Sequence, residues 1–127
     1  MRPDTASADK PVVVVGSGPA GHRVVQAIGR LDPTRPVLWY GDEPWAPYNR
    51  IKLSSLLAGD TSWEALTADY SVPPAVDTRF GCRIARIDRA ASEVIDMQGV
   101  RQPYGTLVLA TGSRAHVPEI PGATLPG

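Results

Sequence analysis

Cysteine is almost absent: Cys82 stands alone in 127 residues. One thiol makes no internal disulfide, no dithiol redox pair and no cysteine-cluster metal site, and its scarcity fits a reducing cytoplasm. Histidine is nearly as sparse. His22 and His116 lack metal-ligand spacing and read as ordinary surface or helix residues. Net charge is missing too, because 13 Lys and Arg balance 13 Asp and Glu. No basic excess points to nucleic acid or an anionic membrane, and there is no acidic tail. No apolar run approaches the roughly 20 residues of a membrane helix. The polar start, Met1 to Lys10, has no apolar centre, so it is not a secretory signal and reads as a disordered lead-in over residues 1–10. Internal repeats and low-complexity segments are also lacking. What remains is one domain's length with 43% hydrophobic residues, enough for a core.

The most informative feature present is Val12-Val13-Val14-Val15 followed by Gly16-Ser17-Gly18-Pro19-Ala20-Gly21. Four β-branched residues predict a buried parallel strand. The glycines at G-x-G-x-x-G spacing then turn the chain into a helix: Gly16 for the tight turn, Gly18 for close approach of a pyrophosphate, Gly21 for helix–strand packing. A helix start offers free N–H groups to phosphate. Ala20, Val24, Ala27, Ile28 and Leu31 fall at helical spacing, and Asp32-Pro33 ends the helix. A second apolar run, Val37 to Tyr40, leads to Gly41-Asp42-Glu43, where an acid is expected to accept hydrogen bonds from an adenosine ribose. Asp42 and Glu43 both lie in that window, and for Glu43 the plainer alternative is a solvated loop acid.

Further along, Glu43 to Arg50 carries two prolines and reads as an extended loop. Ile51 to Ala58 predicts a short helix stopped by Gly59, and Thr61-Ser62-Trp63-Glu64 fits a capping box opening another. Ser71 to Asp77, with Pro73-Pro74, reads as loop, and Thr78-Arg79-Phe80 as a short strand. Arg83–Ile87, Glu93–Met97 and Val100–Tyr104 form a small antiparallel meander. Thr106 to Ala110 is a continuous apolar run expected of a buried parallel strand, closed by Thr111-Gly112-Ser113. The expected fold is α/β: a Rossmann-like three-layer ββα architecture. Its parallel sheet is built from the runs near Val12, Val37, Phe80 and Thr106, with a helix on one face and the meander on the other.

Three blocks carry a family resemblance: Gly16 to Arg23; Tyr48-Asn49-Arg50-Ile51-Lys52-Leu53-Ser54-Ser55-Leu56-Leu57-Ala58-Gly59; and Leu107-Val108-Leu109-Ala110-Thr111-Gly112-Ser113-Arg114, followed by Ile120-Pro121-Gly122. On these the chain resembles the N-terminal FAD-binding segment of the pyridine nucleotide-disulfide oxidoreductase superfamily. The Tyr-Asn-Arg block favours the branch of the NAD(P)H nitrite reductase large subunit and assimilatory electron-transfer subunits. The resemblance implies that Gly16, Ser17, Gly18, Pro19, Ala20 and Gly21 hold the FAD pyrophosphate. Glu43 would bind the ribose, and Arg50 would lie near pyrophosphate and flavin, its plainer alternative being a loop salt bridge. Ile84 would meet the adenine edge through its backbone, and Ala110, Thr111 and Gly112 would line the cofactor. No side chain is expected to act as acid, base or nucleophile, and no metal site is expected.

Departures bear on function. Ser55 stands where ferredoxin and rubredoxin reductases carry a lysine near the flavin, and Gly105 replaces a commonly acidic residue. The Cys-x-x-x-x-Cys block of disulfide reduction is missing. A second nucleotide fold for NAD(P)H and a late strand ending in Gly-Asp are also missing, since Gly41-Asp42 and Gly59-Asp60 sit elsewhere. The expected organisation is therefore a partial FAD-binding domain over 11–117 and an extended proline-rich tail over 118–127. The partner implied is a chain or domain carrying the NAD(P)H site and a downstream redox centre. The implied function is electron transfer from NAD(P)H through FAD, with the flavin supplying the chemistry. The alternative is a truncated, non-catalytic nucleotide-binding or subunit-interaction module. A domain binding NAD(P) itself fits less well, because such domains continue with βα units where this chain has its meander.

Overall fold

The computed structural model describes residues 10–114, 116–123 and 125. The lead-in expected over 1–10 thus lies, Lys10 apart, outside the described residues. Val12–Val15 form β1, and all four side chains are buried because both faces of the strand are covered. Helix α1 spans Pro19–Leu31, and β2 spans Val37–Gly41. A 3₁₀ turn at Arg50–Lys52 runs into α2 (Leu53–Ala58), and α3 covers Trp63–Thr67. Strand β3 is Val76–Phe80. The meander is β4 (Ile84–Asp88), β5 (Glu93–Asp96) and β6 (Arg101–Pro103), and β7 is Thr106–Leu109.

The parallel sheet has the order β3-β2-β1-β7, and the meander is a separate antiparallel sheet, β4-β5-β6. Val12 pairs with Val37 on one side and Thr106 on the other, so β1 is central. Alternation along β1 then divides the core. Val12 and Val14 face α1, with Val25, Val37 and Trp39; Val13 and Val15 face the meander, with Tyr40 and Val94.

Four local expectations change. The buried stripe of α1 is Gly21, His22 and Val25, flanked by Val24 and Ile28, while Leu31 is exposed and Ala20 faces solvent. Gly21 sets this azimuth, since a Cβ there would overlap the Gly16 carbonyl. His22 is a helix residue as expected but not a surface one. It stacks on Trp39, and its Nε2 lies 3.1 Å from the Ser71 carbonyl. Strand β3 begins two residues earlier than expected, because Val76 pairs with Val37 and extends the ladder back into the proline-rich stretch. At α3 the cap is Ser62, whose Oγ accepts from the Ala65 N–H at 3.3 Å, rather than Thr61 of the expected box. Residues 118–120, in the expected tail, are exposed and form no helix or strand.

Candidate functional site

The carboxyl ends of β1, β2 and β7 meet the start of α1 around a cleft of about 880 Å³. This is the place where open parallel sheets hold ligands. Gly16 turns the chain there at φ +116°, and an added Cβ would overlap the Ala110 carbonyl, so glycine is required for β1 and β7 to stay packed. Below the turn, the buried Trp39 indole donates to the Gly16 carbonyl at 2.9 Å. Ser17 folds over the end of β2, its Oγ 2.5 Å from where a Cβ on Gly41 would lie.

Gly18 differs from its neighbours. Its φ of −78° suits any residue, and a Cβ would meet nothing within 4 Å. The protein therefore has no packing reason for glycine there, and the space in front of it is open. Gly18 is the N-cap of α1 and brings no side-chain cap. The first intrahelical bond found is His22 N–H to the Gly18 carbonyl, 3.0 Å, so the N–H groups before it depend on water or a ligand. An uncapped helix start with open space before it suits an anion.

Gly16 to Ala20, Glu43, Arg50, Ile84 and Ala110 to Gly112 all line this cleft. Gly21 does not; it is buried beneath the turn as a packing glycine. At the far end, the Met97 N–H donates to the Arg83 carbonyl at 3.0 Å, which makes Ile84–Asp96 a non-hydrogen-bonded pair. The N–H and C=O of Ile84 consequently turn to the outer edge of β4. Glu43 is pinned from both sides: Arg50 Nη2 lies 2.5 Å from Oε1, and the Tyr48 hydroxyl donates to Oε2 at 2.9 Å. Asp42, the other acid after β2, instead pairs with Arg83 at 3.5 Å. Burial and the bond to Glu43 raise the Tyr48 hydroxyl above its ordinary value, which keeps it a donor.

Seven lining residues lie outside the expected site set: Val15, Tyr40, Asp42, Cys82, Arg83, Ser113 and Arg114. Arg83 and Cys82 precede Ile84 directly, and Arg114 closes the quoted Ala-Thr-Gly-Ser block, so adjacency was the available signal. Burial, followed by the neighbouring Asp96 carboxylate, pushes the Cys82 thiol up, so it stays protonated and poorly nucleophilic. Burial likewise raises Tyr40 against the opposing pull of Arg79. Among the described residues no group of three or more His, Cys, Asp and Glu could hold a metal ion, and no helix is long and apolar enough to cross a membrane.

Residues 10–127 match the pyridine nucleotide-disulphide oxidoreductase family. The chain is 39% identical over 112 residues to the ferredoxin–NAD(+) reductase component of the anthranilate 1,2-dioxygenase system of Burkholderia cepacia, covering 85% of this chain and 27% of that protein. It is 35% identical over 123 residues to the nitrite reductase [NAD(P)H] large subunit of Klebsiella oxytoca, covering 93% and 13%. The crystal structure of the covalent putidaredoxin reductase–putidaredoxin complex contains a similar chain. The TM-score is 0.79 at 29% identity, covering 91% of this chain and 28% of that one. The chain thus spans less than a third of the length of these relatives.

Proposed function

The chain belongs to the pyridine nucleotide-disulphide oxidoreductase family, and on that premise we propose that it is the FAD-binding portion of an NAD(P)H-dependent flavoprotein oxidoreductase. The observation that carries this reading is the open space at Gly18 before the uncapped start of α1. The residues fit the cofactor's chemistry. Gly18 and Ala20 line the cleft at the helix start and offer backbone N–H groups to a diphosphate, and Arg50 adds a planar five-donor cation at the same cleft. Glu43 accepts from the adenosine ribose. Ile84 offers its outward N–H and C=O to the adenine edge, while its side chain packs under the meander. Ala110, Thr111 and Gly112 form the wall beside the glycine turn.

When bound, the flavin supplies the hydride and electron chemistry; the residues named here bind and orient it. The relatives' names pair NAD(+) with ferredoxin and NAD(P)H with nitrite reduction. They support a role as one component of electron transfer of the nitrite-reductase type, working with a chain or domain that carries the NAD(P)H site and the next redox centre. The lone Cys82 fits a cytoplasmic setting.

Purified protein is expected to carry a flavin spectrum or to take up FAD and ADP in calorimetric titration. Gly18→Val is expected to weaken both by at least about tenfold, equivalent to ~1.4 kcal/mol, with the melting temperature unchanged. Unaltered affinity in the variant would remove the assigned pocket. A colourless protein that takes up ADP but not FAD would instead support the binding-module alternative.

A further inference from the structure

Glu43 has a second environment on the side away from the glycine turn. A pocket of about 370 Å³ there is lined by Glu43, Trp45, Tyr48, Leu53 and Trp63. Within it the Tyr48 ring lies 5.2 Å from the Trp63 ring, and Trp63 lies edge-on to Trp45 at 6.3 Å. Trp63 belongs to α3, and the loop is tied to the same helix by the Asn49 N–H, which donates to the Leu66 carbonyl at 2.9 Å. A continuous line of contact therefore runs from α3 through Trp63 and Tyr48 to the Glu43 carboxylate.

The two partners of that carboxylate are not equivalent. The Arg50 side chain is 49% exposed, and it lines the cleft where a phosphate would compete for it. An exposed ion pair of this kind exchanges readily. Tyr48, which does not line the cleft, is held by the Trp63 ring and by the Arg50 guanidinium 5.3 Å above its own ring, and its hydroxyl donates to Oε2. A carboxylate has about four acceptor sites. Arg50 and Tyr48 use one on each oxygen, leaving one on each for ligand hydroxyls. Without the tyrosine hydroxyl, Glu43 would be free to rotate into a bidentate pair with Arg50, which takes its lone pairs out of reach of a ribose.

Building on the nucleotide reading above, we propose that Tyr48 is a positioning residue that aims Glu43 at the ribose 2′-hydroxyl and so makes the cleft specific for nucleotides with an unmodified ribose. The observation is the Tyr48–Glu43 hydrogen bond braced by the Trp63 ring.

The test is calorimetric titration of the full chain with ADP and with 2′-deoxy-ADP, for wild type and Tyr48→Phe. The variant keeps the ring and its stacking, and circular dichroism verifies its fold. Wild type is expected to prefer ADP by about tenfold, the effect of one hydrogen bond to a charged acceptor. Tyr48→Phe is expected to lose roughly fivefold in ADP affinity while 2′-deoxy-ADP stays within about twofold, so the preference collapses. A merely structural role would lower both ligands together, and that result overturns the proposal. In a Glu43→Ala background Tyr48→Phe is expected to change nothing further; an additional loss of ADP preference there also overturns it. Failure of the underlying reading looks different: wild type then binds neither nucleotide, or binds both equally, and the proposal falls with it.

Discussion

Each of the three glycines of the turn answers to a different physical demand. Gly16 sits at positive φ against the Ala110 carbonyl, Gly21 lies under the turn against the Gly16 carbonyl, and Gly18 touches nothing. The protein's own packing requires two of them and makes no such demand on the third. Gly21→Ala is therefore expected to cost about 1–3 kcal/mol by overpacking, seen as a lower melting temperature with or without nucleotide. Gly18→Val is expected to leave stability alone. Spacing in the sequence made all three visible and even suggested this division of roles. What it could not show is the support beneath. Trp39 donates to the Gly16 carbonyl from a strand that reads only as apolar, and His22 bridges helix and loop through the Ser71 carbonyl. A buried indole or imidazole needs a hydrogen-bond partner, yet local sequence does not say which one.

Elements were legible in proportion to how far their signal was local. Strand β1 and helix α1 were, because four β-branched residues and a glycine turn act within a few positions. The start of β3 was not: Val76 joins the ladder through Val37, a partner far away in sequence, which overrides the proline signal at Pro73-Pro74. The cap of α3 shifted by one residue because Thr61 and Ser62 are chemically interchangeable as caps, and packing of Trp63 and Leu66 chose between them. The helix-start N–H of Glu64, and after it the Ser62 hydroxyl, hold the Glu64 carboxyl below its ordinary value, so the first turn favours the charged form. Ser62→Ala is expected to destabilise by about 1 kcal/mol in a denaturant melt. Because α3 carries Trp63 under Tyr48, a smaller loss of nucleotide affinity is expected to accompany it.

In the whole molecule the cleft exists because the meander closes over the face of β1 that α1 leaves open. Val94 of the meander is fully buried and packs in the same cluster as Val13 and Val15, while Ile84 from the same meander forms the far wall of the cleft. Val94→Ala is expected to cost ~2 kcal/mol by leaving a cavity. Unlike Gly21→Ala, it should also loosen the Ile84 wall and weaken adenine-containing ligands more than inorganic pyrophosphate, a difference that paired titrations measure. Fold class, the glycine turn and an acid after β2 were open to reading from the sequence by itself, because local periodicity and spacing encode them, whereas Arg50 and Ile84 entered only through the family resemblance. Tertiary structure alone decided that Glu43 is clasped between Arg50 and Tyr48, that Cys82, Arg83 and Arg114 share the cleft, and that Gly21 does not. Those facts depend on which distant segments the sheet brings within a few ångströms, and no local pattern records that.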